Sequence, residues 1–126
     1  MRAVDTNVLV RILTGDDPRQ CELAEAFVEE GAWISGVVLA ETVWILSSKY
    51  GQSAADIDCA VAMLLSHDRL LLQDSDAVAS ALEQFRARPS LGFADCLILS
   101  LARKAGHLPL GTFDRALGRV EGAQRL

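Results

Sequence analysis

The 126-residue chain has few cysteines, more acid than base, and no long apolar run. Each of these shortages excludes something. Its three cysteines, Cys21, Cys59 and Cys96, are odd in number and far apart in segments that read as helix. Neither a disulfide framework nor a zinc site has the spacing it needs, and the three are expected as reduced, buried thiols of a cytoplasmic protein. Apolar runs such as Val37 to Ala40 and Leu70 to Leu72 fall far short of the roughly 20 residues of a membrane span. The opening residues, with Arg2 and Asp5, lack the apolar stretch and cleavage site of a secretory signal, so neither export nor membrane insertion is expected. Lys and Arg total 12 against 17 Asp and Glu, a formal net charge of −5. Because non-specific phosphate binding is carried mainly by Lys and Arg, this balance excludes nucleic-acid binding through bulk charge and leaves only a local grip. His67 and His107 fall at helix ends without metal-ligand spacing. Ser35 and Ser90 have no His and Asp arrangement to activate them, and no glycine loop suited to phosphate is present.

What remains is a chain that is 51% apolar and long enough for one core, which at this size buries roughly two-thirds of the surface of the unfolded chain. Its organisation is read as a single domain, residues 1–126. Arg2 to Val4 reads as a strand, followed by capping residues Asp5, Thr6 and Asn7 and a helix with Val8, Leu9, Ile12 and Leu13 at helical spacing. Asp17 and Pro18 open a second helix, Ala32 to Ile34 reads as a strand, and Ser35 caps a third helix running to Lys49. Ser53 with Asp56 opens a fourth helix that ends near His67. Leu70 to Leu72, fully apolar, is expected as a central parallel strand. A fifth helix to Arg86, a loop at Pro89 to Gly92, and a sixth helix from Phe93 to Lys104 follow. Leu110 to Thr112 is a fourth strand, Asp114 caps a short last helix, and the final five residues read as a weak edge strand. Strands alternating with helices predict an α/β fold: a mostly parallel sheet of four or five strands flanked by about seven helices.

Four acids stand out against this frame. Asp5 and Asp114 each follow a strand directly, and in such sheets ligands gather beyond the carboxyl ends of the strands. Both also precede helices, where an N-terminal cap is a sufficient reason for an Asp. Glu41 interrupts the run from Val37 to Leu46, with Val37, Val38, Trp44 and Ile45 three and four positions away, which predicts an acid on a buried stripe. Burying a carboxylate without a partner is costly, so a cation or strong donors are expected beside it, unless it reaches out to solvent or pairs with an Arg. Asp95 is framed by Phe93, Cys96, Ile98 and Leu99, and its place in the first helical turn also favours negative charge. Four such carboxylates, if brought together, would repel one another unless a divalent cation joined them. Carboxylate and water oxygens suit Mg²⁺ or Mn²⁺, which could activate water for attack on a phosphodiester. Trp33 and Trp44, within apolar stretches, are expected in the core or against a partner.

The strings Val4-Asp5-Thr6-Asn7-Val8-Leu9, Leu39-Ala40-Glu41-Thr42, Phe93-Ala94-Asp95-Cys96-Leu97-Ile98 and Thr112-Phe113-Asp114 occur in this order over nearly the whole chain. Together they resemble the PIN-domain family, most closely the VapC-type ribonuclease toxins of VapBC toxin–antitoxin pairs. The resemblance implies a three-layer PIN-like fold and a Mg²⁺- or Mn²⁺-dependent endoribonuclease with Asp5, Glu41, Asp95 and Asp114 as its acidic site. It implies Asp5 and Asp95 as principal metal ligands, Glu41 and Asp114 acting directly or through water, and Thr6, Asn7 and Thr112 as polar support. It further implies an RNA substrate, a cognate antitoxin whose basic tail suits an acidic surface, and a homodimer. Arg11, Arg86, Arg88, Arg103, Lys104 and Arg115 are candidate RNA contacts, each also readable as a solvated surface charge. A housekeeping PIN-domain nuclease is the alternative within the family. A receiver-like phosphoacceptor domain is the alternative outside it, but that class needs a second acid beside Asp5, where Asn7 stands, and a Lys after a late strand, where Arg115 stands.

Overall fold

A computed structural model describes all residues, Met1–Leu126, as two compact units, Met1–Ser75 and Asp76–Leu126. The first unit runs β1 (Arg2–Ala3), α1 (Thr6–Thr14), α2 (Pro18–Val28), β2 (Ala32–Ile34), α3 (Gly36–Ser48), α4 (Ala54–Ser66) and β3 (Leu70–Leu72). Local chemistry sets these boundaries. Asp5, Asp17, Ser35 and Ser53 each accept a hydrogen bond from an N–H in the first turn of the helix that follows. Ser53 and Asp56 complete a reciprocal capping box. The strands form a parallel sheet in the order β1-β2-β3, with Arg2 opposite Ala32 and Ala32 opposite Leu70. Its two outer strands are therefore β1 and β3, and β2 is central. Leu70 to Leu72, expected as a central strand, lies at the edge of this sheet, and Leu71 is 51% exposed. An apolar run reports β-propensity and not the number of neighbours a strand will have.

The core of this unit is built from Leu9, Val10, Ile34, Leu39, Leu46, Val61 and Leu64, all buried. Helix α1 packs on α2 and α3. One helix defeats the expected pattern. In α3 the buried residues are Leu39, Thr42, Val43 and Leu46, while Val37 and Trp44 are 79% and 61% exposed. The helix is apolar on nearly all sides, so its sequence does not declare which face goes inward.

The second unit contains α5 (Ser75–Ala87, which starts on the last residue of the first unit), a 3₁₀ turn (Pro89–Leu91), α6 (Phe93–Ala105), β4 (Leu110–Thr112), a 3₁₀ turn (Leu117–Arg119) and β5 (Ala123–Arg125). Leu91 is buried, which gives the expected loop a short turn of its own. Strands β4 and β5 pair in parallel, Leu110 opposite Ala123 and Thr112 opposite Arg125. The 3₁₀ turn between them approaches β5 so closely that a Cβ on Gly118 would lie 2.6 Å from that of Arg125. The whole is mixed α/β with parallel pairing throughout and six α-helices, the helix expected after Asp114 being only a 3₁₀ turn. No helix is long and apolar enough to cross a membrane.

Candidate active site

In the first unit Asp5 sits just past β1. The Val4 N–H still donates to the Trp33 carbonyl at 3.2 Å, and one residue later Asp5 turns the chain into α1. Its Oδ1 accepts from the Val8 N–H at 3.1 Å, so the capping role is real. That bond uses one carboxylate oxygen and leaves Oδ2 uncommitted by it. Thr6 is buried and Asn7 exposed. At the same sheet edge the Gln73 side chain accepts from the Gly36 N–H at 2.9 Å and ties the end of β3 to the start of α3, a role no sequence signal announced.

Glu41 is not where its neighbours suggested. It is exposed, on the solvent side of α3 with Val37 and Trp44, so no burial cost calls for a partner. Its buried neighbour is Thr42, whose hydroxyl is sealed from solvent and has no hydrogen-bond partner. Trp44, exposed, is not a core residue.

In the second unit the geometry brings two of the acids into electrostatic contact. Asp95 lies in the first turn of α6, half-buried between buried Phe93 and Cys96. That turn is anchored by Phe93, whose ring meets Phe85 of α5 edge-on at 6.1 Å and 86°. At the other end of α6, Lys104 pairs with Asp76 at 2.7 Å, which holds the Asp76 carboxyl below its ordinary range. Arg103 donates to the Glu121 carbonyl at 2.8 Å. Asp114 is held by three bonds: its N–H donates to Thr112 Oγ1 at 3.0 Å, its Oδ1 accepts from Leu117 N–H at 2.9 Å, and its carbonyl accepts from Gly118 N–H at 2.9 Å. Desolvation and then the negative charge of Asp114 push the Asp95 carboxyl above its ordinary range, and no cation offsets either effect. Burial, with the Asp95 charge a lesser cause, pushes the adjacent Cys96 thiol up to about 11.

The donors are hard carboxylate oxygens, the chemistry that Mg²⁺ or Mn²⁺ prefers, and a positive charge at Asp95 and Asp114 would relieve the repulsion between them. Within neither unit alone do three or more His, Cys, Asp or Glu side chains gather to hold a metal ion. Among the candidate phosphate contacts, Arg11, Arg103 and Lys104 already have protein partners, while Arg88 and Arg115 are exposed. Of the three cysteines only Cys96 is buried; Cys21 is half-exposed and Cys59 exposed, contrary to the expectation of three core thiols.

The chain thus has parallel α/β architecture, with one acid in the first turn of α6 and another just past the end of β4. Residues 2–123 match the family model of the PIN domain, and the chain belongs to that family. PIN domains are generally metal-dependent nucleases, which makes nucleic acid the substrate class of the family. Searches of curated proteins and of solved structures return no match.

Proposed function

We propose that the chain is a Mg²⁺- or Mn²⁺-dependent endoribonuclease and the toxin of a type II toxin–antitoxin pair, with Asp5, Glu41, Asp95 and Asp114 as its functional carboxylates. The observation that carries the metal-dependent reading is the Asp95 carboxyl, half-buried in the first turn of α6 and pushed up by burial and then by the charge of Asp114. A divalent ion held by these carboxylates would offset their charge and would supply Lewis-acid activation of a phosphate oxygen and of water. Asp95, in the helical turn that Phe93 packs against Phe85, and Asp5, oriented by its cap bond, would be the principal oxygen ligands. Thr112 orients Asp114 through its backbone N–H, and the Leu117 N–H takes only Oδ1, so Oδ2 can hold an ion or a water. Glu41, free in solvent, is suited to hold water by a reach that a buried acid would lack. Arg88 and Arg115, both exposed, are offered as contacts to phosphate.

The toxin reading is supported by the resemblance of the four strings to VapC-type toxins and by the exposed Val37 and Trp44 on α3, apolar surface of a kind that partners cover. The acidic net charge of −5 suits a basic antitoxin segment. Purified protein incubated with structured RNA and Mn²⁺ is expected to cut it, and chelator or Asp95→Asn to abolish the cut. Equal cleavage by wild type and variant would mean a contaminating nuclease. Induced expression in a bacterial host is expected to arrest growth, relieved by the adjacent open reading frame; no growth effect in either case would favour a housekeeping nuclease.

A further inference from the structure

A cleft of about 370 Å³ lies on the first unit between α1 and α2, and Asp5 forms part of its lining. Val8, Leu23 and Phe27 give it apolar walls, and Asn7, Arg11 and Gln20 give it polar groups. We propose that this cleft is a base-reading subsite that takes a guanine of the RNA next to the cleaved phosphate, a proposal that rests on the ribonuclease reading above.

Three observations point to a base. The first is placement, since a residue assigned to the metal lines the same cleft that holds the reading groups. The second is the ring. Phe27 is fixed by Arg2, whose guanidinium lies 3.8 Å from the ring centroid and donates to the Phe27 carbonyl at 2.9 Å. An immobilised aromatic wall with a cation beside it suits a nucleobase and its neighbouring phosphate.

The third observation is the donor pattern, which selects the base. Arg11 Nη1 is held by Asp16 at 3.2 Å and by the Tyr50 hydroxyl at 3.3 Å, and Tyr50 in turn donates to Asp16 at 2.6 Å. The Tyr50 and Thr14 hydrogen bonds, with Arg11 a lesser cause, hold the Asp16 carboxyl below its ordinary range, so the anchor stays charged. Arg11 Nε donates to Gln20 Oε1 at 2.6 Å. Arginine has no acceptor, so the Gln20 atom facing it must be the oxygen, and the amide NH₂ is left as a pair of donors. Arg11 Nη2 is likewise outside these bonds. The cleft therefore offers donors on two adjacent side chains, the complement of an edge with two acceptors. Guanine presents such an edge in O6 and N7 with no donor on it, whereas adenine replaces one acceptor with an amino donor, uracil places an N–H between its two carbonyls, and cytosine carries an amino donor beside its O2 and N3.

Gln20→Glu isolates the donor pattern, because it keeps side-chain size and the bond to Arg11 while exchanging the amide donors for an acceptor. RNA with randomised sequence is cleaved in Mn²⁺ and the new ends are sequenced. Wild type is expected to favour guanine at one position beside the cut, and Gln20→Glu to lower that preference roughly tenfold with the other positions unchanged. Asp95-dependent cleavage with the same preference in both proteins would overturn the proposal. A second measurement does not depend on activity: with chelator present, GMP or UMP is titrated while the Arg11 Nε–H and Gln20 amide resonances are followed by NMR. Saturable shifts with GMP but not UMP, lost at Arg11 in Gln20→Glu, support the subsite even if no cleavage is found and the nuclease reading fails. No shift with GMP overturns it even if the nuclease reading holds. Shifts with a Leu-rich amphipathic peptide and none with GMP would assign the cleft to a protein partner and overturn it as well.

Discussion

At the scale of single residues, capping and metal ligation are not competing explanations for an aspartate. Asp5 gives Oδ1 to the Val8 N–H, and Asp114 gives Oδ1 to the Leu117 N–H, so in each case the cap bond orients the carboxylate without using its second oxygen. The two roles separate by mutation. Asp5→Asn keeps a capping oxygen and is expected to change stability by only a few tenths of a kcal/mol, while Asp5→Ala costs about 1 kcal/mol in chemical denaturation. Both are expected to lower RNA cleavage at least 100-fold; retention of activity in Asp5→Asn would leave Asp5 as a cap alone. Cysteine chemistry gives a separate check on the site's surroundings. Cys59 is exposed, whereas Cys96 is buried with its thiol pushed up to about 11, so at pH 8 roughly one thiol in a thousand is ionised. Alkylation followed by mass spectrometry is expected to label Cys59 rapidly and Cys96 only on unfolding. Fast labelling of Cys96 in the native protein would mean that the start of α6 is open.

Elements were legible in the sequence wherever a boundary is set by chemistry within a few residues. The caps at Asp5, Asp17, Ser35 and Ser53 all mark helix starts in the structure. What the sequence did not carry depends on neighbours distant along the chain. Leu70 to Leu72 is apolar enough for a sheet centre yet lies at an edge, because strand order is decided by how the chain crosses over. Helix α3 is the sharper case: its apolar residues surround it, and Glu41 on a buried stripe would require Val37 and Trp44 to be buried as well. Both are exposed, and Glu41 with them. The motif around Glu41 is visible in the sequence, but burial does not account for it, because the residue is exposed. Leu39→Ala and Leu46→Ala are expected to cost about 2–5 kcal/mol each. Val37→Ala and Trp44→Ala should stay within about 0.5 kcal/mol for the free chain, as exposed positions do. Destabilisation by Trp44→Ala as large as by Leu46→Ala would reverse the assignment of the inward face.

For the molecule as a whole, the PIN-domain match spans residues 2–123 and so covers both compact units. The four acids divide evenly, Asp5 and Glu41 in the first unit and Asp95 and Asp114 in the second, where burial and then the charge of Asp114 push the Asp95 carboxyl up. We propose that the two units melt as one domain and that a divalent ion stabilises it. The most direct measurement is calorimetric unfolding of wild type and Asp95→Asn with and without Mn²⁺. A single transition is expected, raised by Mn²⁺ in wild type by a stabilisation of about 2.7 kcal/mol at a hundred times the dissociation constant. The same addition should leave Asp95→Asn almost unmoved. A wild-type transition indifferent to Mn²⁺, or one raised equally in the variant, would contradict the claim that these carboxylates hold the metal.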